Sequence, residues 1–508
     1  MSLWPSALSG KIRNILWPIE KSELRLFLPM ALLALCLLFN FSALRSIKDS
    51  LVVPSIGAEV ISFLKLYLVL PSAIIFTIIY VKLSNMMQLE RIFYVIVSTF
   101  LAIYALFAYL LYPSQEYYHP SVELTEALIA SLPHAKWFLK ILGQWSYAIM
   151  YIFAELWSVV VINLMFWQFA NHIIATDKAK RFYPMILLIG NIGLVIAGNM
   201  IVYFADSLAL PHLLWVNFFG GSYHAAEITV KLVVSAVILS GIIAMLLFKY
   251  IHSYILEDST AQKLAARDAH DTQTKLSIAD SISLIMKSKY IGYIIVMIIC
   301  YGLVINILEG PWKAKVRELY PTTQEYISFM GEFNIWMGVS SVFFMFICSN
   351  MLRNFGWFVS AIMTPTIIAI TGAMFFLFVV FEDVFYLLFG NAAFSPAYAA
   401  VIVGALQNIL SKSTKYSLFD STKEMAYIPL SKELRTKGKA AAEVVGAKLG
   451  KSLGAFVQSA IFVLVPTATF DSIAPMLMVV FVLVMILWLM DVKKLNEEYT
   501  KITQEDKQ

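Results

Sequence analysis

The hydrophobic positions of this chain fall into long runs that short polar segments separate. A helix needs about 20 mostly apolar residues to cross the hydrocarbon core of a bilayer. Twelve runs meet that length, and we predict membrane-spanning helices over 26–44, 60–81, 92–112, 138–170, 183–205, 229–251, 289–309, 326–348, 355–381, 384–410, 440–465 and 472–491. The pattern therefore predicts an all-α polytopic membrane protein.

One long polar segment, residues 252–288, divides the predicted spans into two sets of six. The predicted order is an N-terminal segment, a first half, a linker, a second half and a tail, over 1–25, 26–251, 252–288, 289–491 and 492–508. Weak internal similarity favours a duplication, because matched residues lie 252 to 261 positions apart: Lys48 and Glu309, Glu155 and Gln407, Gly193 and Gly450. Two pseudo-symmetric halves that move around a midplane site are typical of transporters.

Lysine and arginine are unevenly distributed among the connecting segments. The segments on one side, which include both termini, are rich in these residues, and the positive-inside rule places that side in the cytoplasm. Residues 312–317 (WKAKVR) depart from the rule, since they would lie outside. We expect the cations of that segment to act at an outer mouth of the protein.

Composition supports a membrane protein and excludes several other classes. The chain of 508 residues is 60% hydrophobic and 14% charged, whereas soluble domains carry about 25% charged residues. Its three cysteines lie in apolar runs and indicate neither a disulfide framework nor a metal site. No hydrolase or metalloprotease motif is present, so we expect neither an enzyme nor a cofactor. No short apolar run with a cleavage site starts the chain, so we expect no cleaved signal peptide.

Residues 437–458 (KGKAAAEVVGAKLGKSLGAFVQ) place lysines in a helix that should enter the membrane. A cation at the bilayer centre costs roughly 2.5–3.5 kcal/mol on insertion scales. Snorkelling to the interface explains Lys439, but Lys451 lies deeper and shares a helix face with Lys448 and Gln458. That face favours a wet, cationic cavity that admits an anion. A neighbouring stripe of small residues predicts close helix packing: Gly446, Ala447, Gly450 and Gly454.

The same stretch contains G-x-x-x-G-K-S, which is one residue shorter than the phosphate-binding loop of ATPases. No strand precedes it and an apolar helix follows it, so we do not predict an ATPase.

Three more charges are out of place. Glu155 lies in the middle of a span, where an unpaired carboxylate is costly and should face a cavity or a cation. Lys48 lies either in an extended first helix or in an outer loop, and Glu309 is either functional or an ordinary helix-end charge. With Lys451, these residues suit a transporter, because lysines bind phosphate oxygens as point charges and carboxylates can pair with the lysines, bind ribose or carry a proton.

Secondary candidates share a polar or charged side chain in or next to a span: Arg45, Asn163, Asn191, Lys313, Gln407, Lys439 and Lys448. The amides among them could read a base edge, but such groups more often join helices.

Several stretches carry a family resemblance over about residues 20–490: LRSIKDSLVV, AELWSVVV, NILEGPWKAKVRELYPT, KYSLFDSTKEMAYIPL and KGKAAAEVVGAKLGKS. The chain resembles the nucleotide transporters of plastids and obligate intracellular bacteria, the ATP/ADP translocases. The resemblance implies a major-facilitator-like fold of twelve helices in the inner membrane, a monomer that suffices for function, and exchange of external ATP for internal ADP plus phosphate.

The family's charged motif positions match Lys48, Glu155, Glu309 and Lys451, which the resemblance makes substrate-binding residues. Leu453 replaces a glycine of many relatives, and Ser158 replaces a glycine of some. Three alternatives stay open: exchange of other ribonucleotides or NAD, proton-coupled import of nucleotides, and a membrane sensor that binds a nucleotide without moving it.

Overall fold

The computed structural model describes residues 17–174, 176–219, 224–256, 288–389, 395–430 and 446–505. Within these ranges every regular element is a helix. We number the principal helices α1 Leu24–Ser55, α2 Val60–Met86, α3 Leu89–Leu111, α4 Val122–Ser131, α5 Lys136–Gly143, α6 Trp145–Asn171, α7 Thr176–Ala205, α8 Leu210–Phe219, α9 Ala225–Tyr250, α10 Lys289–Leu319, α11 Thr323–Ile347, α12 Phe355–Val380, α13 Glu382–Phe389, α14 Pro396–Thr414, α15 Asp420–Ala426, α16 Ala447–Leu464 and α17 Phe470–Glu505.

Ten helices of the described chain are long and apolar enough to cross a membrane, which makes the protein a multi-pass membrane protein. They correspond to ten of the predicted spans. The remaining two differ from the prediction. The helix predicted over 384–410 is two helices, α13 and α14, because Ser395 caps a new helix that starts at Pro396. In the other, predicted over 440–465, the described apolar part is the shorter helix Leu449–Leu464.

Three helix boundaries also differ from the prediction. α1 continues to Ser55, which places Arg45, Lys48 and Asp49 on a helix rather than in a loop. α10 continues through Pro311 to Leu319, so most of the segment expected to lie outside is helical. The span predicted over 138–170 is divided at Gln144 into α5 and α6.

The first of two compact units consists of Met1–Ile47, Ser72–Pro113 and Phe153–Gln273. Its core contains Trp157, whose indole Nε1 donates a hydrogen bond to the carbonyl of Leu37 at 3.1 Å. α7 lies directly against α1, because a Cβ atom at Gly193 would lie 2.6 Å from the Leu35 carbonyl oxygen. At the start of α1, the buried carboxylate of Glu23 pairs with Arg181 at 2.9 Å.

The second unit consists of Lys48–Pro71, Ser114–Ile152 and Thr274–Gln508. Helix α10 lies at its centre and packs against α14, α16 and α17. Small residues permit these contacts: a Cβ at Gly450 would lie 2.7 Å from the Ile299 carbonyl oxygen, and one at Gly404 would meet the Trp312 ring at 2.3 Å. The predicted small-residue stripe of residues 446–454 is confirmed at Gly450 and Gly454, where α16 approaches α10.

Candidate functional site

Five charged side chains of the second unit form a continuous buried chain of ion pairs. Asp49 accepts a hydrogen bond from Lys48 at 2.8 Å and forms an ion pair with Lys313 at 2.9 Å. Lys313 also contacts Glu309 at 3.2 Å, and the other oxygen of Glu309 accepts from Lys65 at 2.8 Å. We call these five residues the ion network. Its three lysines and two carboxylates leave a net charge of +1.

Three helices supply the ion network. The continuation of α1 beyond residue 44 brings Lys48 and Asp49 into the interior. On α10, Glu309 and Lys313 are four residues apart and therefore lie on one face of the helix. Lys65 lies in a π-helical segment of α2, Leu64–Val69, and such segments are frequent at functional sites.

Burial differs sharply among the three lysines. The side chains of Lys48 and Lys313 are 3% and 1% exposed, whereas that of Lys65 is 24% exposed. Lys48 also lies over the ring of Tyr151, with Nζ 4.0 Å from the ring centre, a favourable cation–π arrangement. Lys65 is therefore the most exposed of the three network lysines.

Polar groups surround the ion network. Asn306 of α10 accepts from Lys65 at 3.2 Å, and its own side-chain amide donates to the Gly302 carbonyl. The backbone carbonyl of Asn306 accepts from Gln458 of α16 at 2.8 Å. The fully buried hydroxyl of Tyr326 has no hydrogen-bond partner within the described residues. A polar, positively charged interior of this kind can bind an anion with several oxygen atoms.

Lys451 lies on α16, which packs against α10, one of the three helices that supply the ion network. A Cβ at Gly302 would lie 3.0 Å from the backbone nitrogen of Lys451, so the two backbones are in contact. The Lys451 side chain is exposed, whereas Gln458, predicted to share its face, is buried. Lys448 lies on the same helix, but its side chain is outside the described part of the chain, as is the whole of Lys439.

Glu155 belongs to the first unit. It is half-buried on α6, and its backbone carbonyl accepts from the Ser158 hydroxyl at 3.1 Å. A π-helical segment, Trp157–Phe166, begins two residues later. Glu155 therefore lies inside a span, as the sequence predicts, since α6 is one of the ten spans.

A family model described as the TLC ATP/ADP transporter matches residues 5–499. The chain belongs to this family. "ADP,ATP carrier protein 3" of Rickettsia bellii is 58% identical over 501 residues, covering 98% of this chain and 99% of the relative. "ADP,ATP carrier protein 1" of Rickettsia prowazekii is 45% identical over 494 residues, covering 96% of each.

Solved structures similar to this ATP/ADP transporter family member show its fold. A bacterial homologue of the iron transporter ferroportin, in an inward-facing state, aligns with a TM-score of 0.57 at 12% identity, covering 94% of this chain and 99% of the other. A bacterial metal transporter aligns with a TM-score of 0.52 at 13% identity, covering 93% and 99%. The family member therefore shares the all-helical fold of these two transporter structures.

The secondary candidates of this transporter-family chain lie in different surroundings. Arg45 is half-buried and Asn163 is exposed, both in the first unit. Asn191 is buried in the same unit and donates to the Leu187 carbonyl at 2.9 Å, which is a helix-internal bond. Gln407 is buried in the second unit, and its Nε2 has no hydrogen-bond partner within the described ranges.

The segment 312–317 of this family member is part of the protein interior. Lys313 joins the ion network. Lys315 is buried and pairs with Glu382 at 2.6 Å, Glu318 at 2.9 Å and Asp471 at 3.2 Å, and it thereby links α10 to α13 and α17. The expectation that these cations act at an outer mouth stays untested, but their pairing explains why the helix continues.

Two members of the ion network, Asp49 and Lys65, were not among the sequence candidates. Lys65 lies inside the second span, Val60–Met86. The cost of a cation within the membrane would have identified it as a candidate. Asp49 follows Lys48 directly, and its role as the bridge between Lys48 and Lys313 depends on a contact across more than 260 residues of sequence.

Proposed function

We propose that this protein is an antiporter that exchanges external ATP for internal ADP, with phosphate, across the inner membrane. Family membership supports a carrier rather than an enzyme, and the relatives at 58% identity are named ADP,ATP carriers. The observation that carries the proposal is the ion network: it gathers three lysines inside a membrane protein, where ammonium groups suit the phosphate oxygens of an anionic substrate.

The lysines recognise the phosphate chain of the nucleotide. An ammonium group is a compact point charge with three donors, and hydrogen bonds between ionised partners are about twice as strong as neutral ones. We assign Lys48 and Lys451 to phosphate binding. Glu309 holds the network lysines in position while no substrate is bound, which avoids an uncompensated buried charge. Glu155 is assigned to the substrate site on its sequence motif.

The remaining candidates are assigned minor parts. Arg45, Lys313, Lys439 and Lys448 add positive charge along the substrate's route, and the amides of Asn163, Asn191 and Gln407 are available to the base or to neighbouring helices. No resident cofactor or metal enters the proposal.

We further propose twelve spanning helices in two six-helix halves, 26–251 and 289–491, joined by the linker 252–288. On this arrangement α14 and α16 complete the second half, both termini lie in the cytoplasm, and a monomer transports. The similarity to major-facilitator-like transporters supports alternating access.

Substrate identity is tested by competition. Purified protein in liposomes loaded with ADP takes up labelled ATP, and unlabelled ATP, ADP, GTP, CTP, UTP and NAD are added outside in turn. The proposal predicts that ATP and ADP inhibit best. Stronger inhibition by another ribonucleotide or by NAD would overturn the substrate while leaving the transporter fold intact.

Two alternatives make different predictions. A proton-coupled importer would accumulate nucleotide in empty vesicles when a pH gradient is imposed, and Glu155 or Glu309 would carry the proton. A sensor would bind ATP in detergent but never accumulate it in vesicles.

A further inference from the structure

We propose that Lys65 binds a phosphate group of the substrate directly, and that Glu309 holds the Lys65 ammonium until the substrate replaces it. This inference rests on the proposed nucleotide transport and adds a residue to that site.

Within the described ranges, the ammonium group of Lys65 has two protein acceptors. Its Nζ donates to Glu309 at 2.8 Å and to Asn306 at 3.2 Å. An ammonium group has three donors, so one N–H remains for a further acceptor. Because 24% of the side chain is exposed, that acceptor can come from outside the protein.

We expect the exposed part of Lys65 to face water rather than lipid. A lysine in contact with hydrocarbon costs several kcal/mol, and Lys65 lies within a span, in the π-helical segment Leu64–Val69. Its Nζ contacts α10 and therefore points towards the interior of the second unit. A partly exposed, inward-pointing ammonium group marks the edge of a wet cavity.

Glu309 can release Lys65 without becoming unpaired. Its second oxygen lies 3.2 Å from Lys313, which stays in place because Asp49 also holds it, at 2.9 Å. The carboxylate therefore keeps one cation when Lys65 turns to a phosphate. The other two lysines lack this freedom in the present conformation, since both are almost fully buried. Lys65 is thus the lysine of the ion network that is free to exchange a carboxylate for a phosphate.

The test compares Lys65→Gln with Lys65→Arg in ATP/ADP exchange by reconstituted protein. Loss of the charge should raise the KM for external ATP at least tenfold and leave the maximal exchange rate within about threefold of wild type. Arginine keeps the charge and should stay within about threefold of the wild-type KM. Salt screens charge–charge attraction, so the KM of Lys65→Gln should also depend less steeply on ionic strength.

Lys231→Gln is the matched control. Lys231 is a largely buried lysine of a membrane span, it pairs with Glu227 at 2.6 Å, and it lies in the first unit. This variant removes a comparable ion pair, and its KM should stay close to that of wild type. A wild-type KM in Lys65→Gln overturns the inference. So does a Lys65→Arg variant that is as defective as Lys65→Gln and melts at an equally lowered temperature, since that result indicates a structural ion pair.

The two proposals fail separately. If wild-type protein exchanges another nucleotide instead of ATP and ADP, the proposed substrate is wrong, and the same variants are assayed with the nucleotide that is exchanged. A raised KM for that nucleotide supports the role of Lys65. If wild type exchanges ATP for ADP and Lys65→Gln does so with an unchanged KM, only the inference fails.

Discussion

At the scale of single residues, the ion network is organised around Asp49. This fully buried carboxylate lies between two lysines that come from helices far apart in sequence, at 2.8 and 2.9 Å. Burying ion pairs is rarely the most stable solution, because the loss of hydration offsets much of the attraction. A network of five such groups therefore indicates function rather than stability.

We expect Lys48→Ala and Lys451→Ala each to weaken ATP binding roughly 10- to 100-fold, since a hydrogen bond to a charged group contributes about 1.5–3 kcal/mol. Equilibrium binding of labelled ATP to the protein in detergent measures the effect, with Lys231→Gln as the control. Wild-type affinity in either variant would remove that lysine from the phosphate site.

We expect Asp49→Asn to destabilise the protein by about 3 kcal/mol, because it leaves Lys48 and Lys313 buried without their shared carboxylate. The double variant Asp49→Asn with Lys313→Gln should recover part of the loss. Thermal melting in detergent measures both variants. An unchanged melting temperature in Asp49→Asn would show that water or lipid headgroups compensate these lysines.

The cost of a charge inside an apolar run favoured Glu155 and Lys451 from the sequence, and the family motifs added Lys48 and Glu309, which the residues alone left open. The same cost argument would have identified Lys65. It could not identify partners. The pairing of Lys313 with Asp49 and of Lys65 with Glu309 joins residues more than 240 positions apart, and only the fold brings them together.

At the scale of helices, close packing of α16 on α10 depends on glycine. The backbone carbonyl of Ile299 occupies the space that a Cβ at Gly450 would need, at 2.7 Å. The spacing of small residues along 446–454 predicted that another helix packs closely against this segment, and the structure identifies that helix as α10.

We expect Gly450→Ala to lower the melting temperature and the exchange rate, because the added methyl group forces the two helices apart at a cost of about 1–3 kcal/mol. Gly292 of α10 provides the control. A Cβ there would meet no atom within 4 Å, so Gly292→Ala should be neutral or stabilise the helix slightly. Equal melting temperatures for the two variants would contradict the packing argument.

Helix ends were harder to predict than helix centres. The predicted spans ended at residues 44 and 309, and whether the first helix continued through Lys48 was left open. The helices end at Ser55 and Leu319. Charges normally mark a span's end since water must solvate them. Here carboxylates of the protein take the place of water: Asp49 and Glu309 pair with Lys313, and Glu382 and Asp471 pair with Lys315.

At the scale of the whole molecule, hydrophobic periodicity was sufficient to predict an all-α membrane protein and the positions of most spans. Ten predicted spans are present as long apolar helices in the described chain. The helices α14 and α16 are shorter or more polar, and they carry polar groups such as Gln407 and Lys451. Hydropathy alone is a weaker guide to spans at helices that carry such groups.

The central claim is coupled exchange, and the dependence of uptake on internal ADP tests it most directly. Liposomes containing the purified protein are loaded with ADP or left empty, and uptake of labelled ATP is followed without a pH gradient. Exchange predicts rapid uptake into loaded vesicles and almost none into empty ones. Equal accumulation in both, or accumulation in neither by protein that still binds ATP, would contradict it.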